Sequence, residues 1–114
     1  MSSTQEAVPT EPIQVTSEAD LDDAVSSYDV VFVDFYADWC GPCRMMEPAI
    51  ERLARETDAA VLKVDVDSLQ GLAARYGVEG IPNMLLFADG DAVERFVGAR
   101  SADQLENAVE EYTR

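Results

Sequence analysis

The chain has 114 residues, 47% of them hydrophobic, with 23 acidic against 8 basic side chains, a formal net charge of −15, and no histidine. That length makes one domain, able to bury roughly 65% of the surface it exposes when unfolded, and the composition is that of a globular protein. The charge excludes nucleic acid and anionic membranes as partners, since both reward basic surface, and the missing histidine excludes Ser–His–Asp and Cys–His nucleophiles and imidazole-bound metal.

Residues 1 to 11 are polar, contain Pro9, and read as a flexible arm ahead of a domain spanning 12–114. The arm lacks the basic and apolar regions of a secretory signal. No stretch approaches the ~20 apolar residues of a membrane span. A cytoplasmic protein is therefore expected. Such self-repulsion destabilises a compact chain in dilute salt and is screened in molar salt, where the Debye length falls to ~3 Å. A salt-rich, halophilic cytoplasm is the expected setting; an ordinary acidic protein is the alternative.

Ile13–Val15 is a short candidate edge strand. In the segment from Thr16 to Tyr28, Leu21, Ala24, Val25 and Tyr28 recur at helical spacing, with Thr16 or Ser17 as the cap. "VVFVDFYA" follows, apolar on both alternating faces except for Asp34, as a central strand covered on both sides would be. A longer helix after it carries Met46, Ile50 and Leu53, with a kink expected at Pro48. Ala60–Val66 reads as a strand holding Lys63, the only lysine. Leu69, Leu72, Ala73 and Tyr76 mark a third helix, which Gly77 can end. Asp89-Gly90 joins two strands as a hairpin. The last helix starts near Ser101 and buries Leu105, Ala108, Val109 and Tyr112. The sum is an α/β domain: a central mixed sheet of about five strands flanked by about four helices.

The only two cysteines, Cys40 and Cys43, follow the central strand directly, with Gly41-Pro42 between them. Three residues apart at a helix start, they share a face and lie close enough for a disulfide. Pro42 suits a first-turn position. The free N–H groups and positive dipole end there favour a thiolate at Cys40, while Cys43 lies a turn deeper, suited to resolve a mixed disulfide. A lone pair at this spacing is also half of a metal site, or two chance thiols. Two cysteines cannot close a four-thiolate site in one chain, and in a reducing compartment a close pair is more often redox-active than a staple.

"FVDFYADWCGPCRMMEP", "GVEGIPNMLLFADGD" and "VGA" together resemble the thioredoxin family, over the chain from about Ile13 onward. The resemblance implies the thioredoxin fold. It implies a protein-disulfide oxidoreductase in which Cys40 is the nucleophile and Cys43 resolves. It makes Asp34 a buried carboxyl moving a proton on or off Cys43, and puts Lys63 on the neighbouring strand to tune Asp34. It implies a cis Ile81-Pro82 bond beside the cysteines. It also implies a flat docking patch of Trp39, Gly41, Pro42, Gly80, Ile81, Pro82, Val97, Gly98 and Ala99. No cofactor or metal is expected beyond the redox-active Cys40–Cys43 disulfide. The implied partners are disulfide-containing proteins and a thioredoxin reductase, met as a monomer. Gly41-Pro42 matches reducing members. A disulfide oxidase or isomerase, and a thioredoxin-like structural subunit that leaves its thiols unused, are the alternatives. Three positions depart from the pattern: Tyr36 for a second tryptophan, Arg44 for lysine, and Asn83 for threonine. The last is expected to alter contacts with the substrate backbone.

Overall fold

The structure is a computed structural model that describes residues 7–113; most of the expected arm, residues 1–6, lies outside the described residues. Five strands form one sheet in the order β1-β3-β2-β4-β5: β1 Ile13–Gln14, β2 Val30–Tyr36, β3 Ala60–Asp65, β4 Asn83–Ala88 and β5 Asp91–Val97. Strand β3 runs parallel to β1 and β2, whereas β4 is antiparallel to β2 and to β5. Val15 adds one more bond beyond β1, from its N–H to the Lys63 carbonyl at 2.9 Å.

The described residues hold five helices rather than four: α1 Glu18–Ser27, α2 Gly41–Met45, α3 Glu47–Glu56, α4 Gln70–Arg75 and α5 Ala102–Thr113. The expected long helix is interrupted at Met46, and Pro48 lies in the first turn of α3. Proline has no N–H to give the Arg44 carbonyl, so the ladder stops there and restarts with Ile50 N–H on the Met46 carbonyl at 2.9 Å.

Local signals decide most other boundaries. The Ser17 hydroxyl caps α1 by accepting from Asp20 N–H at 3.2 Å. Ser101 and Gln104 close a reciprocal box at the start of α5, at 3.2 and 2.9 Å. Asp89 and Gly90 both take positive φ, 53° and 89°, as a two-residue hairpin with the right twist requires. Gly77, φ 70°, ends α4.

Alternation along β2 builds two cores. Val31, Val33 and Phe35 pack with Leu21 and Ala24 of α1 and Leu72 of α4, and Val8 leans on the same cluster. Val30 and Phe32 pack on the opposite face with Ile50 and Leu53 of α3 and Leu105 and Val109 of α5. Tyr112, expected in that stripe, is 37% exposed. It stands at the rim where β2 begins, in a shallow recess with Val8 and Asp29.

Candidate active site

Strand β2 ends at Tyr36, and four residues later the chain enters α2. Cys40 is the N-cap, in extended conformation, and its Sγ accepts the Cys43 N–H at 3.2 Å. Pro42 occupies the first turn, where no N–H is needed. The two cysteines are joined as a disulfide, with Cα atoms 5.3 Å apart. Both are buried, against Ala37, with Tyr36, Val66 and Ile81 packed around them. Both sulfurs are sheltered, and Cys40 Sγ is met by one N–H donor.

Ile81 reaches this cluster from a different segment. The Ile81-Pro82 bond is cis. The Pro82 carbonyl accepts the Gly98 N–H at 2.9 Å, which ties the proline segment to the turn after β5. Gly98 sits at φ 93°, a conformation open to glycine. Around the pair, Trp39 is 71% and Val97 60% exposed, and Gly41, Pro42, Gly80 and Ala99 are exposed as well. Trp39 is held by its indole N–H, which donates to Asp67 Oδ2 at 2.9 Å. Trp39 is thus a large apolar side chain that is exposed yet tethered beside the cysteine pair.

Asp34 lies on the α3 side of β2 and is 4% exposed. Burial is the main cause that pushes its carboxyl up to about 7; Lys63 pulls it down and Glu47 pushes it up. Lys63 is directly across from Asp34 in the parallel ladder. Its ammonium, however, is bound to Glu47 Oε2 at 2.9 Å and lies 4.5 Å from the centre of the Tyr36 ring. Burial thus pushes a carboxyl up to about 7 on the strand that leads into the cysteine helix.

The buried Asn83 turns inward. Its side chain donates to the Gly80 carbonyl at 3.3 Å and accepts from Arg95 Nη1 at 2.8 Å. The Asn83 side chain is thus engaged within the fold by both its amide nitrogen and its oxygen. Arg95 also donates to the Tyr76 carbonyl, so it spans the loop 77–82 at both ends. Glu47, Asp67 and Arg95 are residues that the sequence did not single out. None carries a local signal: Glu47 and Asp67 are among 23 acidic side chains, and Arg95 follows no motif.

Among the described residues no group of three or more His, Cys, Asp or Glu is arranged to hold a metal ion. No helix among them is long and apolar enough to cross a membrane.

The family model described as Thioredoxin matches residues 12–111. Thioredoxin of Chlamydia trachomatis serovar D is 45% identical over 94 residues, 82% of this chain and 91% of that protein. Thioredoxin of Mycobacterium tuberculosis H37Rv is 46% identical over 90 residues, 77% of this chain and 78% of that protein. A solved mutant thioredoxin from Halobacterium salinarum NRC-1 superposes with a TM-score of 0.92 at 54% identity, over 96% of each chain. With the cysteine pair at disulfide distance at the start of α2 and the five-stranded mixed sheet behind it, the chain belongs to the thioredoxin family, oxidoreductases that work by dithiol–disulfide exchange.

Proposed function

We propose that the chain is a general protein-disulfide reductase, its domain running from residue 12 to 114. The observation that carries this reading is the Cys43 N–H on Cys40 Sγ at 3.2 Å, which favours negative charge on Cys40 once the pair is reduced. The Cys40 thiolate attacks one sulfur of a target disulfide and expels the other as a thiolate. The Cys43 thiol gives its proton to Asp34 and attacks Cys40 Sγ, which releases the second target sulfur. Two electrons pass to the target and the Cys40–Cys43 disulfide remains. Burial holds Asp34 near neutrality, where a carboxyl both accepts and returns a proton. Lys63 adjusts that balance from the neighbouring strand.

Targets dock on Trp39, Gly41, Pro42, Gly80, Ile81, Pro82, Val97, Gly98 and Ala99. The Ile81 backbone, half-buried beside the cysteines, offers an extended segment short strand-like pairing. A thioredoxin reductase returns the dithiol. The redox group is the cysteine pair itself, and the protein acts as a monomer in the cytoplasm. The net charge of −15, together with the similarity to a haloarchaeal relative, supports a salt-rich cytoplasm.

The test is the midpoint potential of the Cys40–Cys43 pair, measured by thiol equilibration in molar KCl, with Cys40→Ser assayed beside it. A strongly reducing value and loss of disulfide reduction in Cys40→Ser are expected. A markedly oxidising value would convert the reading to an oxidase or isomerase. Full function in Cys40→Ser would convert it to a binding subunit.

A further inference from the structure

The chain has one lysine, and it stands across from the one buried carboxylate of the central strand. In an acidic molecule that placement looks made for a direct pair. The ammonium instead meets Glu47, the first residue of α3, at 2.9 Å, and a second side of it rests on Tyr36. Glu47 stands where the helix restarts after Met46, four residues beyond Cys43, on a helix that contacts β3.

We infer that Glu47 sets how much of the Lys63 charge reaches Asp34, and so acts as a positioning residue for the proton step of exchange. The inference rests on the proton role of Asp34 proposed above. A carboxylate bound to an ammonium neutralises most of the field that the ammonium exerts on a third group, and it adds its own repulsion. Both effects work in one direction: with Glu47 in place, Asp34 keeps its proton to higher pH. The influences of the two residues on Asp34 have these signs, Lys63 lowering and Glu47 raising.

Among the described residues, the charges that bear on Asp34 are those of Lys63 and Glu47. Strand β4 presents Met84 across from it, and α2 brings the cysteines. Further along α3, Arg52 is occupied by Asp103 and Glu106 of α5. Asp65 lies across from Tyr36 one step further along the same face. The control is also open to the solvent. The Lys63 side chain is 16% exposed and Glu47 45%, so the pair joins a sheltered carboxyl to the surface.

The test follows the Asp34 carboxyl by NMR against pH in the oxidised protein at fixed molar KCl, and the pH profile of mixed-disulfide resolution by Cys43. Glu47→Gln is expected to lower the Asp34 midpoint by about one pH unit, within the range for a freed opposite charge. The resolution profile should follow it down. Lys63→Met is expected to raise both. In the Lys63→Met background, Glu47→Gln should move the midpoint by less than half as much, because no ammonium is left to release.

An unmoved Asp34 midpoint in Glu47→Gln overturns the inference, even if the melting temperature falls, since a merely structural pair would alter stability alone. A midpoint that moves while the resolution profile stays fixed overturns the proton role of Asp34. In that case the kinetic half of the inference falls with it, and the charge coupling stands.

Discussion

The two sides of β2 are made by the same seven residues and do different work. Val31, Val33 and Phe35 face α1 and α4 and pack there with Leu21, Ala24 and Leu72. Val30 and Phe32 face α3 and α5 in the same manner, but Asp34 and Tyr36 follow on that side, with Lys63 beside them and Glu47 above. The first side contributes stability and is indifferent to pH. The second gives up stability at its cysteine end to hold a carboxyl that titrates near neutrality.

The largest effect should come from the apolar side. Phe35 is fully buried, with its ring 6.3 Å from that of Tyr76. Phe35→Ala is expected to cost about 3–5 kcal/mol by denaturant titration. The loss should be the same at pH 5 and pH 9, because the buried side chains around Phe35 carry no carboxyl. A loss that varied with pH would break the separation of the two faces.

Asp34→Asn should act in the opposite sense. Asp34 is raised from 3.8 to about 7 in the folded protein, so between those values the folded chain holds a proton that the unfolded chain has released. Stability from this group is therefore intact below pH 4, falls as pH rises to 7, and is level above. Removing the carboxylate is expected to stabilise the protein by about 2–4 kcal/mol at pH 9 and by almost nothing at pH 3.5. Paired melts of the two proteins at those pH values check this. An equal effect at both would mean that burial is not what shifts the group.

The smallest effect belongs to a helix end that covers the second face. Ser101→Ala removes the acceptor for Gln104 N–H. It should cost about 1 kcal/mol, independent of pH between 5 and 9, and leave the exchange rate unchanged. A change in exchange rate would show that α5 reaches the site more directly than its packing indicates.

Features set by neighbours in sequence were legible before the structure. Ser17 and Ser101 begin helices, Gly77 ends one, and Asp89-Gly90 turns a hairpin, because each acts on backbone within four residues. Cys40 and Cys43 stood out for the same reason, and the family resemblance carried the cis bond at Ile81-Pro82. What was not legible depends on partners far along the chain. The salt bridge from Glu47 to Lys63 spans 16 residues and that from Arg52 to Asp103 spans 51. Asn83 gave no sign that it would face Arg95 rather than a substrate. Pro48 was a clear signal, but the break falls two residues earlier, at Met46, between the Arg44 carbonyl, which Pro48 has no N–H to serve, and the restart at Ile50.

The outermost strands have a consequence for life in concentrated salt. When screening shortens the reach of repulsion to ~3 Å, a net charge of −15 no longer keeps molecules apart, and any open row of backbone donors and acceptors invites a second chain to add to the sheet. Strand β1 is two residues long and follows Pro12, which has no N–H to offer. Strand β5 carries Asp91, Glu94 and Arg95, and its register with β4 slips between Leu86 and Phe87, leaving Val93 as the extra residue that bends it. The sheet is thus guarded against self-association by shape at one side and by a bulge among charges at the other, devices that keep working where long-range charge does not.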